Sequence, residues 1–120
     1  MLTTTEAVTG AHLKRAIETR DGGSLASFYA DDAVMRIVDE DNPPSHPREI
    51  RGRPAITAFW DDICGRTMTH QVDTLVAEGN RIAFTQACAY PNGSKVLCSG
   101  IVNLKDGRIA EQTMVQAWDH

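Results

Sequence analysis

Three turn dipeptides divide the second half of the chain: Gly79-Asn80, Asn92-Gly93 and Asp106-Gly107. Such pairs suit the left-handed backbone of tight hairpin turns. The runs between them alternate apolar and polar residues, with β-branched and aromatic side chains, as half-buried strands do. The spacing predicts strands over 68–78, 81–90, 94–104 and 108–118. Connections this short make neighbouring strands antiparallel, because parallel neighbours need a crossover of a dozen or more residues. Half of the chain is therefore committed to one antiparallel meander, and the other half must cover one of its faces.

The first half supplies that cover. Over 6–19, Ala7, Val8, Ala11, Leu13, Ala16 and Ile17 recur on one helical face, with Thr5 as the candidate N-cap. Asp21-Gly22-Gly23 ends this helix. Ser24 caps a second, short helix from Leu25 to Tyr29. After Asp31-Asp32, the run Ala33 to Val38 reads as a strand. Residues 39–52 hold three of the five prolines and read as one long loop, either a binding segment or a solvated connection. Pro54 opens a third helix carrying Ala55, Ile56, Phe59, Trp60 and Ile63, and Gly65 stops it. Helices followed by a meander predict one α+β domain over 1–120, with the helices packed on one sheet face.

The 120 residues, 42% of them hydrophobic, are enough for one core. The net charge of −4 and the scattered arginines argue against nucleic acid as partner. No apolar run reaches the ~20 residues of a membrane span. The N-terminal stretch lacks the basic start and apolar run of a secretory leader. Cys64, Cys88 and Cys98 show no metal-ligand spacing and fit reduced thiols, so a cytoplasmic setting is expected. The four histidines lie in different elements, without a His-x-His pair, and no metal or other cofactor is expected.

Hairpin arithmetic predicts which side chains share a face. Two-residue turns at 79–80 and 92–93 put residue 70 opposite 89, 74 opposite 85, and 85 opposite 100. A three-residue loop with a glycine bulge at 106–107 puts 100 opposite 112. One face then carries His70, Val72, Thr74 and Val76; Ala83, Thr85, Ala87 and Ala89; Val96, Cys98, Gly100 and Val102; Gln112, Met114, Gln116 and Trp118. The other carries Phe84, Gln86, Cys88 and Tyr90 beside Leu97, Ile101 and Val115. The first, poor in charge, is expected to line a pocket. The second suits a subunit interface. Cys88 and Cys98 fall on opposite faces, which makes a disulfide between them unexpected.

The segments Ser24 to Val34, Arg51 to Trp60 and Lys105 to Ile109, in this order, resemble the NTF2-like superfamily, which includes ketosteroid isomerases, scytalone dehydratases and SnoaL-like polyketide cyclases. The resemblance covers nearly the whole chain. It implies a cone: three N-terminal helices on a curved, mainly antiparallel sheet that encloses a pocket, commonly dimeric through the outer sheet face. In this resemblance, the isomerase's general-base aspartate falls on Ile37, its oxyanion tyrosine on Ala16 and its protonated aspartic acid on Gly100. None can transfer a proton, so isomerase chemistry of that type is not expected. Tyr29 matches a supporting tyrosine, and Trp60 stands where another would be. Thr67 to His70 resembles the place of the catalytic histidine of scytalone dehydratase.

His70 is thus the first candidate for acid/base work, since imidazole titrates near neutrality; the plainer reading is a buried histidine hydrogen-bonded to Gln or Thr. Asp39, at the end of the first strand, is either a second catalytic group or a solvated loop carboxylate. Phe28, Tyr29, Met35, Ile37, Trp60, Val72, Thr85 and Gly100 are expected around the pocket, with Gln112, Met114, Gln116 and Trp118 as an apolar wall carrying two amides. Such a wall suits a small apolar molecule with a carbonyl or hydroxyl group. The expected function is cofactor-independent isomerisation, cyclisation, dehydration or hydration of such a compound. The rivals are a non-catalytic binding module or dimeric accessory protein, and a scaffold with a filled core.

Overall fold

A computed structural model describes residues 7–120. The elements are α1 (Gly10–Glu18), α2 (Gly22–Ser27), β1 (Tyr29–Val38), β2 (Arg48–Arg51), α3 (Arg53–Cys64), β3 (Thr69–Glu78), β4 (Arg81–Ala89), β5 (Lys95–Lys105) and β6 (Arg108–Asp119). The sheet runs β2-β1-β6-β5-β4-β3, so β1 inserts beside the last strand of the meander and pairs with it in parallel. The three helices, the sheet order and the burial pattern give the α+β cone architecture expected.

Helices α1 and α3 form where periodicity puts them, whereas α2 runs over Gly22–Ser27 instead of Leu25 to Tyr29, with Tyr29 opening β1, and the caps differ. Thr5 lies outside the described residues. Thr9 is the N-cap of α1: its hydroxyl accepts from the His12 amide at 3.1 Å, and His12 Nδ1 accepts from the Thr9 amide. Leu13, Ala16 and Ile17 face the core. Asp21, rather than Ser24, caps α2, accepting from the Ser24 amide at 3.1 Å. The Gly-Gly pair therefore opens α2, and the reversal falls on Arg20, at φ 56°. Its guanidinium donates to the carbonyls of Met68 (2.7 Å) and Cys64 (2.9 Å), tying this turn to the end of α3 and the start of β3. In α3, Ile56, Phe59 and Trp60 are buried.

The 39–52 segment is not all loop. Its prolines precede residue 48, and Arg48–Arg51 pairs with β1 as a short edge strand, burying Ile50. Glu49, Arg48 and Arg51 surround that single apolar residue, which left no alternation to read. Charged residues at such an edge deter pairing with other chains.

Strand registers depart from the arithmetic in three places. The β4–β5 connection is a three-residue loop, Pro91-Asn92-Gly93, in which Tyr90 donates to the Ser94 carbonyl; Phe84, not Thr85, lies opposite Gly100. Gly93 takes φ 93°, which glycine adopts without strain. All of β4 is thereby reversed: Ile82, Phe84, Gln86 and Cys88 face inward, and Ala83, Thr85, Ala87 and Ala89 face out. In β3, the register shifts between Val72 and Thr74, so Asp73 is an extra residue. His70 and Val72 stay on the inner face, but Thr74 and Val76 turn outward. The Val72 amide at this bulge donates to Glu18 Oε2 of α1 at 3.0 Å, so a helix carboxylate serves the interrupted ladder. In β6, a two-residue turn and a shift near Ala110 put Gly100 opposite Met114, two residues from expectation. A two-residue offset preserves parity, so Gln112, Met114, Gln116 and Trp118 do share the inner face with Val96, Cys98, Gly100 and Val102.

Candidate functional site

Part of the core is filled by aromatic rings, Phe28, Tyr29 and Phe84 among them. Phe84 lies flat against Gly100: a Cβ added there would come within 2.7 Å of the ring. The glycine is thus the seat of a phenylalanine. Ala16 and Ile37 are buried beside this core, at 3% and 1% exposure. The positions that resemble the isomerase trio are therefore packed with carbon and carry no proton-transfer group.

Through this core runs a buried polar chain. Trp60 Nε1 donates to the Tyr29 hydroxyl at 3.2 Å, and that hydroxyl donates to Gln112 Oε1. Burial pushes the tyrosine's pKa upward, against the smaller opposing effect of Trp60, so the hydroxyl stays a donor. Gln112 Nε2 is buried without a hydrogen-bond partner.

Between α3 and the inner face of the sheet a cavity of about 180 Å³ remains open. Trp60, Phe59 and Ile63 of α3 form one wall, and Ile37 of β1 with Met114, Gln116 and Trp118 of β6 form another. Val96 and Cys98 of β5, Gln86 and Cys88 of β4, and His70 of β3 complete it, while Asp39, Arg48, Asp62, Arg66 and Tyr90 form a polar rim. An open depression of about 620 Å³ lies beside it and shares His70, Cys88, Val96 and Trp118 with the cavity. His70 and Cys88 thus stand between the two spaces.

Of the expected pocket residues, Ile37, Trp60, Met114, Gln116, Trp118, His70 and Asp39 meet at this cavity. Phe28, Tyr29, Met35, Val72, Gly100 and Gln112 are buried but belong to the packed core outside the cavity lining. Thr85 faces out, because the three-residue loop reverses β4. The same reversal brings in Gln86 and Cys88, which the face arithmetic had placed outside. Cys88 and Cys98 consequently share the inner face, on adjacent strands, and both remain free thiols.

His70 is half-buried, and its Nδ1 lies 3.2 Å from Cys88 Sγ. Nε2 is buried without a hydrogen-bond partner. Burial first, and the Arg20 guanidinium second, hold the imidazole below its ordinary 6.5, outweighing the neighbouring Gln86 amide. The ring is therefore neutral at pH 7 and able to accept a proton. Burial pushes the Cys88 thiol up to about 11. Cys98 rises to about 12, mainly through burial, with the neighbouring Cys88 adding to it.

Asp39 reaches the mouth, but its Oδ1 accepts from the amides of Asp41 and Asn42 and from the Asn42 side chain, each at 2.9 Å. One carboxylate oxygen is thus committed to the turn that follows β1. Around it, Arg48 stacks over the Phe59 ring at 5.6 Å, and Arg66 binds Asp62 at 2.6 Å and the Tyr90 hydroxyl at 3.1 Å. Trp118 donates to Gln116 Oε1 at 3.2 Å and stacks on Tyr90. Among the described residues, no three His, Cys, Asp or Glu side chains converge to hold a metal ion, and no helix is long and apolar enough to cross a membrane.

A family model described as a SnoaL-like domain matches residues 11–112. No curated protein matches. Among solved structures, an NTF2-like protein of unknown function from Mesorhizobium loti is similar at 18% identity, with 89% of this chain and 86% of that one covered and a TM-score of 0.79. A proposed ketosteroid isomerase from Kribbella flavida is similar at 15% identity, covering 92% of this chain and 76% of that one, at a TM-score of 0.75. IdmH of Streptomyces antibioticus, a proposed polyketide cyclase, is similar at 23% identity, covering 88% and 87%, at a TM-score of 0.64. At these identities the likeness carries the fold.

Proposed function

Because the chain belongs to the SnoaL-like family of the NTF2-like superfamily, we propose that it is a small-molecule enzyme working by acid/base chemistry without a cofactor. Its substrate is a small apolar compound with a carbonyl or hydroxyl group, and the reaction is an isomerisation, cyclisation, dehydration or hydration. The observation that carries this reading is His70: a neutral imidazole on the cavity wall, with Nε2 buried and unpaired. A ligand hydroxyl or an acidic C–H beside that nitrogen would find a base of suitable strength. Asp39 at the mouth is the second candidate, limited to the oxygen that the turn leaves free. The cavity lies below the roughly 300 Å³ at which drug-sized sites begin, so a single-ring or short-chain compound fits better than a fused polycycle.

The second reading, a non-catalytic binding module, draws support from Asp39, whose Oδ1 is tied into a turn, leaving His70 as the one strongly placed acid/base group. One experiment separates the two. The protein and His70→Gln are screened against small ketones, enones and alcohols for binding by calorimetry and for turnover by NMR. The enzyme reading expects retained binding with turnover lowered by about 10²-fold or more in the variant. Turnover unchanged in His70→Gln removes His70 from the chemistry, and binding without turnover in either protein leaves the module.

The outer face of β5 and β6 carries Leu97, Ile101 and Val115, 56%, 49% and 50% exposed. With Ala87 and Ala83 of β4 opposite Leu97 and Ile101, this stripe has an apolar centre flanked by Lys95, Glu111 and Asp119, a pattern that suits a subunit interface with a polar rim and supports a homodimer formed through the outer sheet face. Three free thiols support a reducing, cytoplasmic setting.

A further inference from the structure

We infer that Cys88 and His70 form a nucleophile–base pair that takes small α,β-unsaturated carbonyl compounds as covalent thiol adducts within the cavity. This does not rest on any turnover assigned to His70, because an adduct can form in an enzyme or in a binder.

The pairing follows from the registers of the sheet. The bulge at Asp73 and the three-residue loop at 91–93 set His70 directly opposite Cys88, with both side chains inward. Nδ1 and Sγ lie 3.2 Å apart, within reach for transfer of the thiol proton. Both residues line the inner cavity, whose rim carries Asp39 and Arg66, and a small molecule approaches the sulfur through it although Cys88 is 8% exposed. Among the described residues, this is the one imidazole–thiol hydrogen bond. Cys64 is half-buried without such a partner, and Cys98 is buried at 2% exposure.

The resting pair is neutral. With the thiol pushed up to about 11 by burial, only about one molecule in ten thousand carries a thiolate at pH 7. Attack therefore needs the imidazole as general base. In the tautomer that carries the ring proton on Nε2, Nδ1 takes the thiol proton as sulfur bonds to the β-carbon. The carbon–carbon π pair shifts toward the carbonyl as an enolate, and the imidazolium returns the proton to the α-carbon. One S–C bond and one C–H bond form, the S–H bond and the π bond break, and no oxidant or reductant is consumed. The groups that set the field at the ring are Arg20 and Glu18 beside β3, Cys88 on β4, Cys98 on β5, Asp62 and Arg66 of α3, and Tyr90, Asp39 and Arg48 at the rim. Burial first and Arg20 second keep the imidazole unprotonated, which extends its use as a base downward in pH.

The test uses the full chain with cyclohex-2-enone and with N-ethylmaleimide, followed by peptide mass mapping over pH 5–9. Cys88 is expected to be labelled at least about tenfold faster than Cys64 or Cys98. Its rate should rise through a midpoint below 6.5 and then stay level to pH 8. His70→Gln should slow labelling of Cys88 at least about tenfold and leave Cys64 unchanged. Labelling of Cys64 ahead of Cys88 would overturn the pairing. So would a Cys88 rate that climbs tenfold per pH unit from 7 to 9, the mark of an unassisted thiol of high pKa. The pH profile is read on the unaltered protein, so it decides the matter even if the variant folds poorly.

Discussion

Replacing Tyr29 by phenylalanine removes one atom from the centre of the buried polar chain. The ring, 1% exposed, keeps its packing, so the change isolates the hydroxyl. That oxygen accepts from Trp60 Nε1 and donates to Gln112 Oε1. Its loss leaves an indole donor and an amide acceptor buried without partners. Gln112 Nε2 already lacks one, so the whole amide would be stranded. Each orphaned group costs about 1–3 kcal/mol, and the expected destabilisation is about 3 kcal/mol. That is a large share of the roughly 5–15 kcal/mol that holds a domain together. For a chain of this size it lowers Tm by about 10 °C. Urea unfolding followed by tryptophan emission and by circular dichroism measures it, with Trp60 reporting from inside the network. Adding Gln112→Leu to Tyr29→Phe makes both sides of the lost bond apolar, so the double variant should be at least about 1 kcal/mol more stable than the sum of the single effects predicts. A Tyr29→Phe loss below about 0.5 kcal/mol, or strict additivity in the cycle, would refute the claim that these three groups act as one network.

Two further outcomes follow from the packing. Gly100→Ala forces a Cβ against the Phe84 ring and should cost about 1–2 kcal/mol in urea unfolding, even after the entropic gain of replacing glycine; combining it with Phe84→Leu should recover part of that loss. The proposed homodimer expects sedimentation equilibrium to show a dimer that Leu97→Glu on the outer face converts to monomer, without lowering the unfolding midpoint at low concentration by more than about 3 °C, since surface changes stay within about 0.5 kcal/mol; a monomeric unaltered protein would refute the dimer, and a dimer unchanged in the variant would move the interface elsewhere.

Much of the fold was readable because it is written in periodicity. Ile56, Phe59 and Trp60 mark α3, and the three turn dipeptides mark the meander. What escaped were lengths and insertions. A turn dipeptide says where the chain reverses and leaves open how many residues take part. At Asn92-Gly93 the missing signal was Pro91, which has no amide proton to extend the β4 ladder and so joins the loop. A three-residue loop that includes it turns Phe84, Gln86 and Cys88 inward and Thr85 outward. His70 came out inward because two slips cancelled: the loop displaces β4 by one residue, and the bulge at Asp73 restores β3. No local feature announces that bulge, which depends on Glu18 arriving from α1, a contact 54 residues away in sequence. The β6 stripe kept its parity because its displacement was even. Edge strand β2 has one apolar residue, too few for any pattern.

The loop at 91–93 also says something about how this protein can change. Strand β4 carries two unlike stripes: Ile82, Phe84, Gln86 and Cys88 on one side, Ala83, Thr85, Ala87 and Ala89 on the other. Deleting a single codon there would exchange them, offering alanines to an interior shaped for a phenyl ring and carrying the thiol away from the imidazole. A point change at Asn92, exposed on the surface, gives up the hydrogen bond its side chain accepts from the Ser94 amide at 2.9 Å but leaves both stripes in place. Across descendants of this gene, the length of that hairpin should drift far less than its spelling.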